Sequence, residues 1–328
     1  MKQWLFFFVA VFFNAALHAA PQVLDIDWKD SARERALPLK IRVPEGALRV
    51  PLVIFSHGLG GSRESGKAWG EHWAANGYLV IHVQHPGSDE SLWKGSGEGA
   101  PKQRMARGAT PEQLLGRVDD VRFVIDELTR LQIKSDAPAW TKRVDLSRIA
   151  MTGHSFGART TMALAGERFP GPIKSVADAR IKAFIALSPA VQGVKKTWPE
   201  RYGAMNQPFL SVTGDLDGDV MGNANNPKNR AAVFDAQNAG DKYRVVFADG
   251  DHAVFSGDAV REAVSRNRVA GEDRAGTPVA TVKVIHEQIS TITLKYLDAY
   301  LKGDATVKSW LITDAAKTLG NAGVWSYK

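Results

Sequence analysis

One five-residue turn constrains the fold of this chain more than any other feature. Residues 153–157 read Gly-His-Ser-Phe-Gly, follow the apolar-leaning segment 148–152 and precede a helix-compatible run at 158–167. A strand that passes through such a turn into a helix forms a nucleophile elbow, in which glycines allow the sharp bend and the serine hydroxyl is exposed at the sheet edge. The pattern therefore predicts Ser155 as a nucleophile, with the N–H of Phe156 directed at a developing oxyanion.

A serine nucleophile needs a base and an acid, and both are present further along the chain. Behind such an elbow they follow in the order Asp or Glu and then His, each after a later strand. The run 208–213 predicts a buried strand followed by an acidic loop, and 243–248 predicts another strand, followed by His252. We expect His252 to act as general base and then general acid, with a carboxylate that orients its ring.

Three carboxylates share the loop after residue 213, and periodicity alone does not choose among them. Asp215, Asp217 and Asp219 alternate, so an extended segment would direct all three to the same side. We favour Asp217, because a few residues are needed after the strand for the loop to curl back toward the histidine. Asp215 is the alternative.

A second oxyanion donor is expected after an earlier central strand. Residues 51–55 form a short apolar run that is typical of a strand buried on both faces. Residues 56–61, which follow it, read Ser-His-Gly-Leu-Gly-Gly. The glycines let this backbone approach a reacting carbonyl closely, so the N–H of Leu59 is the second predicted donor.

These motifs together resemble the α/β-hydrolase superfamily. The segments 54–61, 153–157 and 250–252 are most similar to its platelet-activating-factor acetylhydrolase-like and dienelactone-hydrolase-like bacterial members, with secreted cutinase-type polyesterases as more distant relatives. The helix-forming segment 117–128 is also similar to that group. The resemblance implies an α/β fold with a mostly parallel sheet and a serine esterase that uses no cofactor and no metal.

The acid position departs from the acetylhydrolase branch. In that branch the acid follows the strand directly after the nucleophile helix. Here that strand, at 181–187, is followed by Ser188-Pro189-Ala190, which contains no carboxylate. The acid position is therefore closer to that of the cutinase-type and dienelactone-hydrolase-like members.

The rest of the chain predicts one domain, residues 20–328, with two irregular inserts near 86–111 and 254–278. The first insert is expected to be a flexible loop beside the mouth of the pocket, because it leaves the carboxyl end of a strand. Alternating strands and helices predict a mostly parallel sheet covered on both faces. Predicted strands lie near 23–28, 36–43, 51–55, 78–83, 148–152, 181–187, 208–213 and 243–248, and helices near 63–76, 111–131, 155–167, 229–237 and 281–302.

The first residues have the layout of a secretory signal peptide. Lys2 precedes an apolar run from position 4 to 13, and small residues at 19 and 20 offer a cleavage site, so we expect residues 1–19 to be removed. The mature protein would be periplasmic or secreted, without a stable membrane anchor. The chain contains no cysteine, which excludes a lipidated cysteine and disulfides.

Charge and motifs bound the partners. Loss of Lys2 with the leader lowers the formal charge from +7 to +6, and the basic residues are scattered, which argues against a nucleic-acid partner. We expect a monomeric serine hydrolase that cleaves a small-molecule, lipid or polyester ester through an acyl-enzyme. An amidase or peptidase with the same triad and a non-catalytic binding protein on the same scaffold are the alternatives.

Overall fold

A computed structural model describes residues 20–46, 48–94, 99–173, 175–218, 226–258 and 277–328. Within these ranges nine strands form one sheet, in the spatial order β1-β2-β4-β3-β5-β6-β7-β8-β9. The strands are β1 (Gln22–Asp30), β2 (Arg35–Val43), β3 (Val50–Ser56), β4 (Leu79–Val83), β5 (Val144–His154), β6 (Ile181–Leu187), β7 (Phe209–Leu216), β8 (Lys242–Asp251) and β9 (Gly323–Tyr327).

The centre of the sheet is parallel and its two edges are antiparallel. Strands β4, β3, β5, β6, β7 and β8 pair in parallel, whereas β1 and β2 pair antiparallel at one edge and β9 pairs antiparallel with β8 at the other. The parallel strands are buried on both faces, which explains their nearly continuous apolar sequences. The predicted α/β class with a mostly parallel sheet is confirmed.

Helices cover both faces of the sheet. Helices α4 and α5 pack on one face through side chains such as Val121 and Met162, and α1 and α8 pack on the other through Trp73 and Ile289. The helices in the described ranges are α1 (Lys67–Ala75), α2 (Ser91–Lys94), α3 (Pro101–Gly108), α4 (Pro111–Gln132), α5 (Phe156–Leu164), α6 (Trp198–Tyr202), α7 (Pro227–Asp235), α8 (Val279–Leu301), α9 (Ala305–Thr313) and α10 (Ala315–Leu319).

The start of α4 shows how local sequence sets an element that borders the site. Thr110 accepts a hydrogen bond from the N–H of Gln113, and Pro111 occupies the first helical position. A Thr cap followed by proline satisfies an otherwise unpaired donor and presets the first helical turn. The helix therefore begins at a fixed point, and its first turn forms part of the cavity described below.

Two sequence expectations differ from the structure, and others fall outside it. The first insert, 86–111, was expected to be a flexible loop, but it contains α2 and α3. The edge strand β9 and the helices α9 and α10 were not predicted. The predicted leader 1–19, Asp219 and most of the second insert lie outside the described residues. Among the residues that the structure describes, no helix is both long and apolar enough to span a bilayer.

Candidate active site

The predicted elbow joins β5 to α5, and its backbone is strained at the serine. Ser155 has φ 55° and ψ −110°, a conformation that L-residues rarely adopt. Two glycines make this turn possible. A Cβ on Gly157 would lie 1.9 Å from the carbonyl oxygen of Ser56, and one on Gly153 would lie 2.5 Å from the carbonyl carbon of Gly157. Helix α5 therefore begins in direct backbone contact with β3, with Ser155 at the carboxyl edge of the sheet.

The structure brings Ser155, His252 and Asp217 together in one hydrogen-bonded line. The Nε2 atom of His252 lies 3.0 Å from Oγ of Ser155, and its Nδ1 atom lies 2.8 Å from Oδ1 of Asp217. Because a carboxylate only accepts, Nδ1 carries the proton and Nε2 is free to accept one from the serine hydroxyl. Asp217 is fully buried and His252 is 8% exposed, while Ser155 faces the cavity.

Asp217, rather than Asp215, faces the histidine, because the chain turns sharply after β7. Asp215 is still on the strand and is exposed. Close contact between β7 and β8 brings the two loops together, since a Cβ on Gly214 would lie 2.1 Å from the carbonyl oxygen of Gly250. His252 follows β8 directly, so the loop after β7 needs only two residues beyond Asp215 to reach it.

The surroundings of Asp217 keep it ionised although it is buried. Burial alone would raise the pKa of this carboxyl group, but His252, the Arg230 guanidinium and the Ser188 hydroxyl together lower it below its ordinary value. Nε of Arg230 lies 2.7 Å from Oδ1, and Oδ2 accepts hydrogen bonds from the hydroxyls of Ser188 and Thr213. Ser188 directly follows β6, where the acetylhydrolase branch carries its acid. Here that position supports the acid instead.

The elbow histidine, His154, contacts His252 from behind. Its Nε2 atom donates to the carbonyl oxygen of His252 at 3.0 Å, and the two rings are 4.7 Å apart. Burial lowers the pKa of His154 well below its ordinary value, and the nearby His252 lowers it further. His154 is therefore neutral at physiological pH and places no second positive charge beside the base.

The loop after β3 lies against Ser155, as predicted. A Cβ on Gly58 would lie 3.5 Å from Cβ of Ser155. The first insert holds this loop from outside, because the N–H of Gly60 donates to the carbonyl of Ser88 at 2.9 Å and the Trp93 indole donates to the carbonyl of Gly60 at 2.6 Å. The insert is thus a clamp on this loop as well as a border of the cavity.

The orientation of the Gly58–Leu59 peptide is fixed by side chains that sequence reasoning missed. The carbonyl of Gly58 accepts from Nδ1 of His57 at 2.6 Å and from Nη2 of Arg117 at 3.4 Å. The N–H of Leu59 belongs to the same peptide group and points the opposite way. Among the described residues neither this N–H nor that of Phe156 donates to another protein group, so both remain available as the predicted oxyanion donors.

Behind His57, a buried relay continues to Asp120 on α4. The N–H of His85 donates to Nε2 of His57 at 3.0 Å, which fixes the tautomer of His57. Nδ1 of His85 donates to Asp120 at 2.9 Å, and its Nε2 accepts from the Ser56 hydroxyl at 2.9 Å. Although burial alone would raise it, the pKa of Asp120 is lowered to about 2, first by His85 and then by Arg35.

Arg117 contacts both segments that carry the predicted oxyanion donors. Its Nη1 donates to the carbonyl of His57 at 2.6 Å, and its guanidinium carbon lies 4.4 Å from the centre of the Phe156 ring. Burial lowers its pKa to about 9, partly offset by Asp120, so the group is still a cation at neutral pH. The sequence signal was available: Arg117 and Asp120 are three residues apart on a predicted helix, and His57 lies inside the glycine-rich loop.

A cavity of about 540 Å³ opens from Ser155 and His252. Its walls come from the start of α4, the first turn of α5, the loop after α5 and the loop after β6. They are mainly apolar, with Leu59, Leu114, Phe156, Phe169 and Ile173 among the lining residues. The space suits one small organic group beside the serine.

Comparisons with known proteins point in the same direction. Residues 38–94 match the family model of platelet-activating factor acetylhydrolase, isoform II, a region that includes β3, β4 and the Leu59 loop. The chain is 26% identical over 192 residues to the platelet-activating factor acetylhydrolase of Bos taurus, which covers 51% of this chain and 40% of that protein. It is 22% identical over 284 residues to that of Cavia porcellus, which covers 80% of this chain and 60% of that protein.

The chain thus spans between 40% and 60% of the length of these curated relatives. The match to the family model ends at residue 94, before the elbow, so the matched region does not include Ser155, Asp217 or His252. The longer of the two alignments extends over most of the chain. The observed sheet and elbow are a second, structural resemblance to α/β-hydrolases. The nine-stranded sheet and the elbow therefore fit an α/β-hydrolase fold, and the chain is similar to the platelet-activating factor acetylhydrolase isoform II family.

Proposed function

We propose that this protein is a serine hydrolase that cleaves carboxylic esters through an acyl-enzyme. The observation that carries the proposal is the line from Asp217 to His252 to Ser155, with contacts of 2.8 and 3.0 Å, which opens into a cavity. The names of the relatives, which describe hydrolysis of an acetyl group, support ester cleavage. The mainly apolar cavity wall supports a short acyl or alcohol group as the occupant beside Ser155.

In the proposed reaction each residue has a distinct role. His252 removes the proton of Ser155 as its oxygen attacks the ester carbonyl carbon, and Asp217 stabilises the imidazolium that forms. The N–H groups of Leu59 and Phe156 bind the negative oxygen of the tetrahedral intermediate. His252 then returns the proton to the leaving alcohol, and a water molecule repeats the sequence to release the acid and free the serine.

The decisive experiment combines an ester assay with covalent labelling. We expect the protein to hydrolyse 4-nitrophenyl acetate and butyrate and to be labelled at Ser155 by an alkyl phosphonate. Ser155→Ala should lower kcat by on the order of a millionfold and abolish labelling, because it removes the nucleophile. Ser91→Ala, at the start of α2 and outside the line of contacts, is the matched control. Ester hydrolysis that persists in Ser155→Ala would refute the proposal.

We also propose that the protein is exported to the periplasm or beyond. Support comes from the charge and apolar run of residues 1–19. Expression of the full chain followed by fractionation and N-terminal sequencing of the product tests this. A product that begins at residue 20 or 21 outside the cytoplasm is expected, and an uncleaved cytoplasmic product would overturn it.

A further inference from the structure

Two arginines in one wall of the cavity share a carboxylate behind them, and this cluster of three charged side chains has no role in the proposed reaction. Arg159 on α5 and Arg201 on α6 both line the cavity, and both bind Glu167. Nη1 of Arg159 donates to the two carboxylate oxygens of Glu167 at 2.8 and 2.7 Å, and Nε of Arg201 donates to one of them at 2.5 Å. Glu167 is fully buried.

This cluster has a net charge of one positive unit. Two guanidinium groups share a single carboxylate, and the nearby Tyr202 does not compensate, because burial first and Glu167 second raise its pKa to about 12. Burial alone would lower the pKa of Arg159, but Glu167 raises it above its ordinary value. Guanidinium groups keep their charge in proteins, so the cluster contains two cations.

Neighbouring groups do not remove the excess. None of the described residues that line the cavity is Asp or Glu. Arg230, the third arginine of the wall, is already paired with Asp217 at 2.7 Å. The exposed charged side chains near this wall include Lys195, Lys196 and Glu200, which together add one further positive charge. An unbalanced cation in a partly dehydrated, apolar-walled space favours an anionic occupant.

The excess charge lies within reach of the reacting serine. Arg159 lies on α5, four residues after the cap residue Ser155, and its N–H donates to the carbonyl of Ser155 at 3.1 Å. Residues four apart on a helix share a face and are separated by about 6 Å along the axis. One small molecule can therefore contact both groups, with its ester at Ser155 and a charged end at the arginines.

We propose that Arg159 and Arg201 form an anion subsite and that the preferred substrates are esters that carry a free carboxylate, such as half-esters of short dicarboxylic acids. The inference rests on the proposed ester hydrolysis and adds a substrate class to it. A singly charged carboxylate balances the one excess charge, and its planar oxygens match the guanidinium donors. The other oxyanion of equal charge, a phosphodiester, is distinguished by experiment.

The test compares esters that differ only in charge. Mono-4-nitrophenyl glutarate carries a carboxylate, and 4-nitrophenyl pentanoate has a neutral chain of the same length. We expect kcat/KM for the glutarate to exceed that for the pentanoate by about tenfold to a hundredfold, as for hydrogen bonds to charged groups. A ratio near one that Arg201→Gln does not change would overturn the proposal.

Matched variants locate the effect. Arg201→Gln should lower the ratio about tenfold, because it leaves Arg159 and Glu167 as a balanced pair, whereas Arg201→Lys should keep most of the preference. Arg168→Gln removes the same charge from an exposed neighbour that does not line the cavity and should leave both rates unchanged. Equal losses in Arg201→Gln and Arg168→Gln would show a general charge effect and contradict the subsite.

A binding measurement separates this inference from the proposed reaction. Monomethyl glutarate should raise the unfolding temperature of Ser155→Ala and should do so much less when Arg201→Gln is added. That result would support the subsite even if no ester were hydrolysed. A lack of ester hydrolysis would count against the proposed function but not against the subsite. Dimethyl phosphate is the phosphodiester probe; stabilisation by it that exceeds that by monomethyl glutarate would overturn the assignment to carboxylates.

Discussion

Arginines lie on either side of Ser155 in two groups, the buried Arg117 and the half-buried pair Arg159 and Arg201, and the two groups differ in what their donors contact. Arg117, fully buried, donates to the carbonyls of His57 and Ser88 at 2.6 and 3.1 Å and to the Ser88 hydroxyl at 2.8 Å. Arg159 and Arg201 contact one carboxylate and face the cavity. The first group holds the backbone of two loops in position, and the second has an excess positive charge that a ligand can balance.

The difference shows that the partners of an arginine indicate more about its role than its degree of burial does. Neutral carbonyls do not cancel a charge, but they hold the guanidinium in one place and are held by it in return. A carboxylate shared by two arginines cancels only half of their charge. We therefore expect changes on the Arg117 side to affect all substrates equally, and changes on the cavity side to affect substrates according to their charge.

The largest effect is expected from Arg117→Met. This change leaves the His57 and Ser88 carbonyls without a donor and releases the Gly58–Leu59 peptide. We expect kcat to fall by about a hundredfold to a thousandfold with little change in KM, the cost of one oxyanion donor. The ratio between anionic and neutral esters should stay constant.

Thionoesters test whether Arg117 acts on the oxyanion loop, because a general loss of stability would not change the preference for oxygen esters over thionoesters. Sulfur accepts hydrogen bonds weakly, so a formed oxyanion hole favours an oxygen ester over its thiono analogue. Arg117→Met should reduce that preference, and Arg117→Lys should partly restore it. Arg130→Met, on the exposed side of the same helix, is the control. An unchanged oxygen-to-sulfur preference in a folded Arg117→Met protein would separate Arg117 from the oxyanion loop.

The second prediction concerns acid stability, to which the histidines on the Arg117 side should contribute. Burial first, and then nearby Arg117, lower the pKa of His57 well below its ordinary value, and burial lowers that of His85 to about 4. The unfolded chain binds these protons near pH 6.5 and the folded protein does not, so stability is lost as the pH falls from about 6.5 toward 4. Each such histidine contributes about 1.4 kcal/mol per pH unit in that range.

Urea unfolding at pH 7, 6 and 5 measures this loss. His85→Gln should be less stable at pH 7, because it loses the contact with Asp120, yet its free energy of unfolding should fall less steeply by about 1.4 kcal/mol per pH unit. The Arg159–Glu167–Arg201 cluster contains no histidine, so Arg201→Gln should keep the parent slope. A parallel pH slope in His85→Gln and the parent would contradict this account.

Much of the fold could be predicted because each buried parallel strand appears in the sequence as a separate short apolar run. The eight predicted strands overlap β1 to β8. Strand β9 was missed because an edge strand of five residues, with only partial burial, has little periodicity to detect. Helices α2 and α3 were missed because their segment is rich in glycine and charge.

Chain order and strand ends were sufficient to predict that Ser155, Asp217 and His252 would lie close together. Their roles rest on chemistry that only experiment tests. The support around them was not predictable, because its partners are far apart in sequence: Arg117 reaches His57, and Ser188 reaches Asp217. A pattern read along one element does not contain contacts between distant ones. The departure of the acid from the acetylhydrolase position was visible in the sequence, but the use of Ser188 as its support was not.

Arg230 is the case between the two groups, and it gives the smallest predicted effect. It lines the cavity like Arg201, yet its donors are taken by Asp217 and by the carbonyls of Ser188 and Gly218, as on the Arg117 side. Because its donors already have protein partners, we expect Arg230 to modify the properties of Asp217 rather than to bind substrate. Arg230→Gln removes a cation beside Asp217, which raises the pKa of that carboxyl group, so the acid limb of the kcat/KM profile should move to higher pH.

At a pH above that limb, activity of Arg230→Gln should fall only severalfold, and equally for anionic and neutral esters. Lys228 is exposed on α7, two residues before Arg230. Lys228→Gln removes the same charge and should leave the pH dependence of kcat/KM unchanged. A change in the anionic-to-neutral ratio would instead assign Arg230 to the subsite with Arg159 and Arg201. In that case a carboxylate partner would not be enough to withdraw an arginine from binding, and the distinction between the two sides of Ser155 would rest on exposure to the cavity alone.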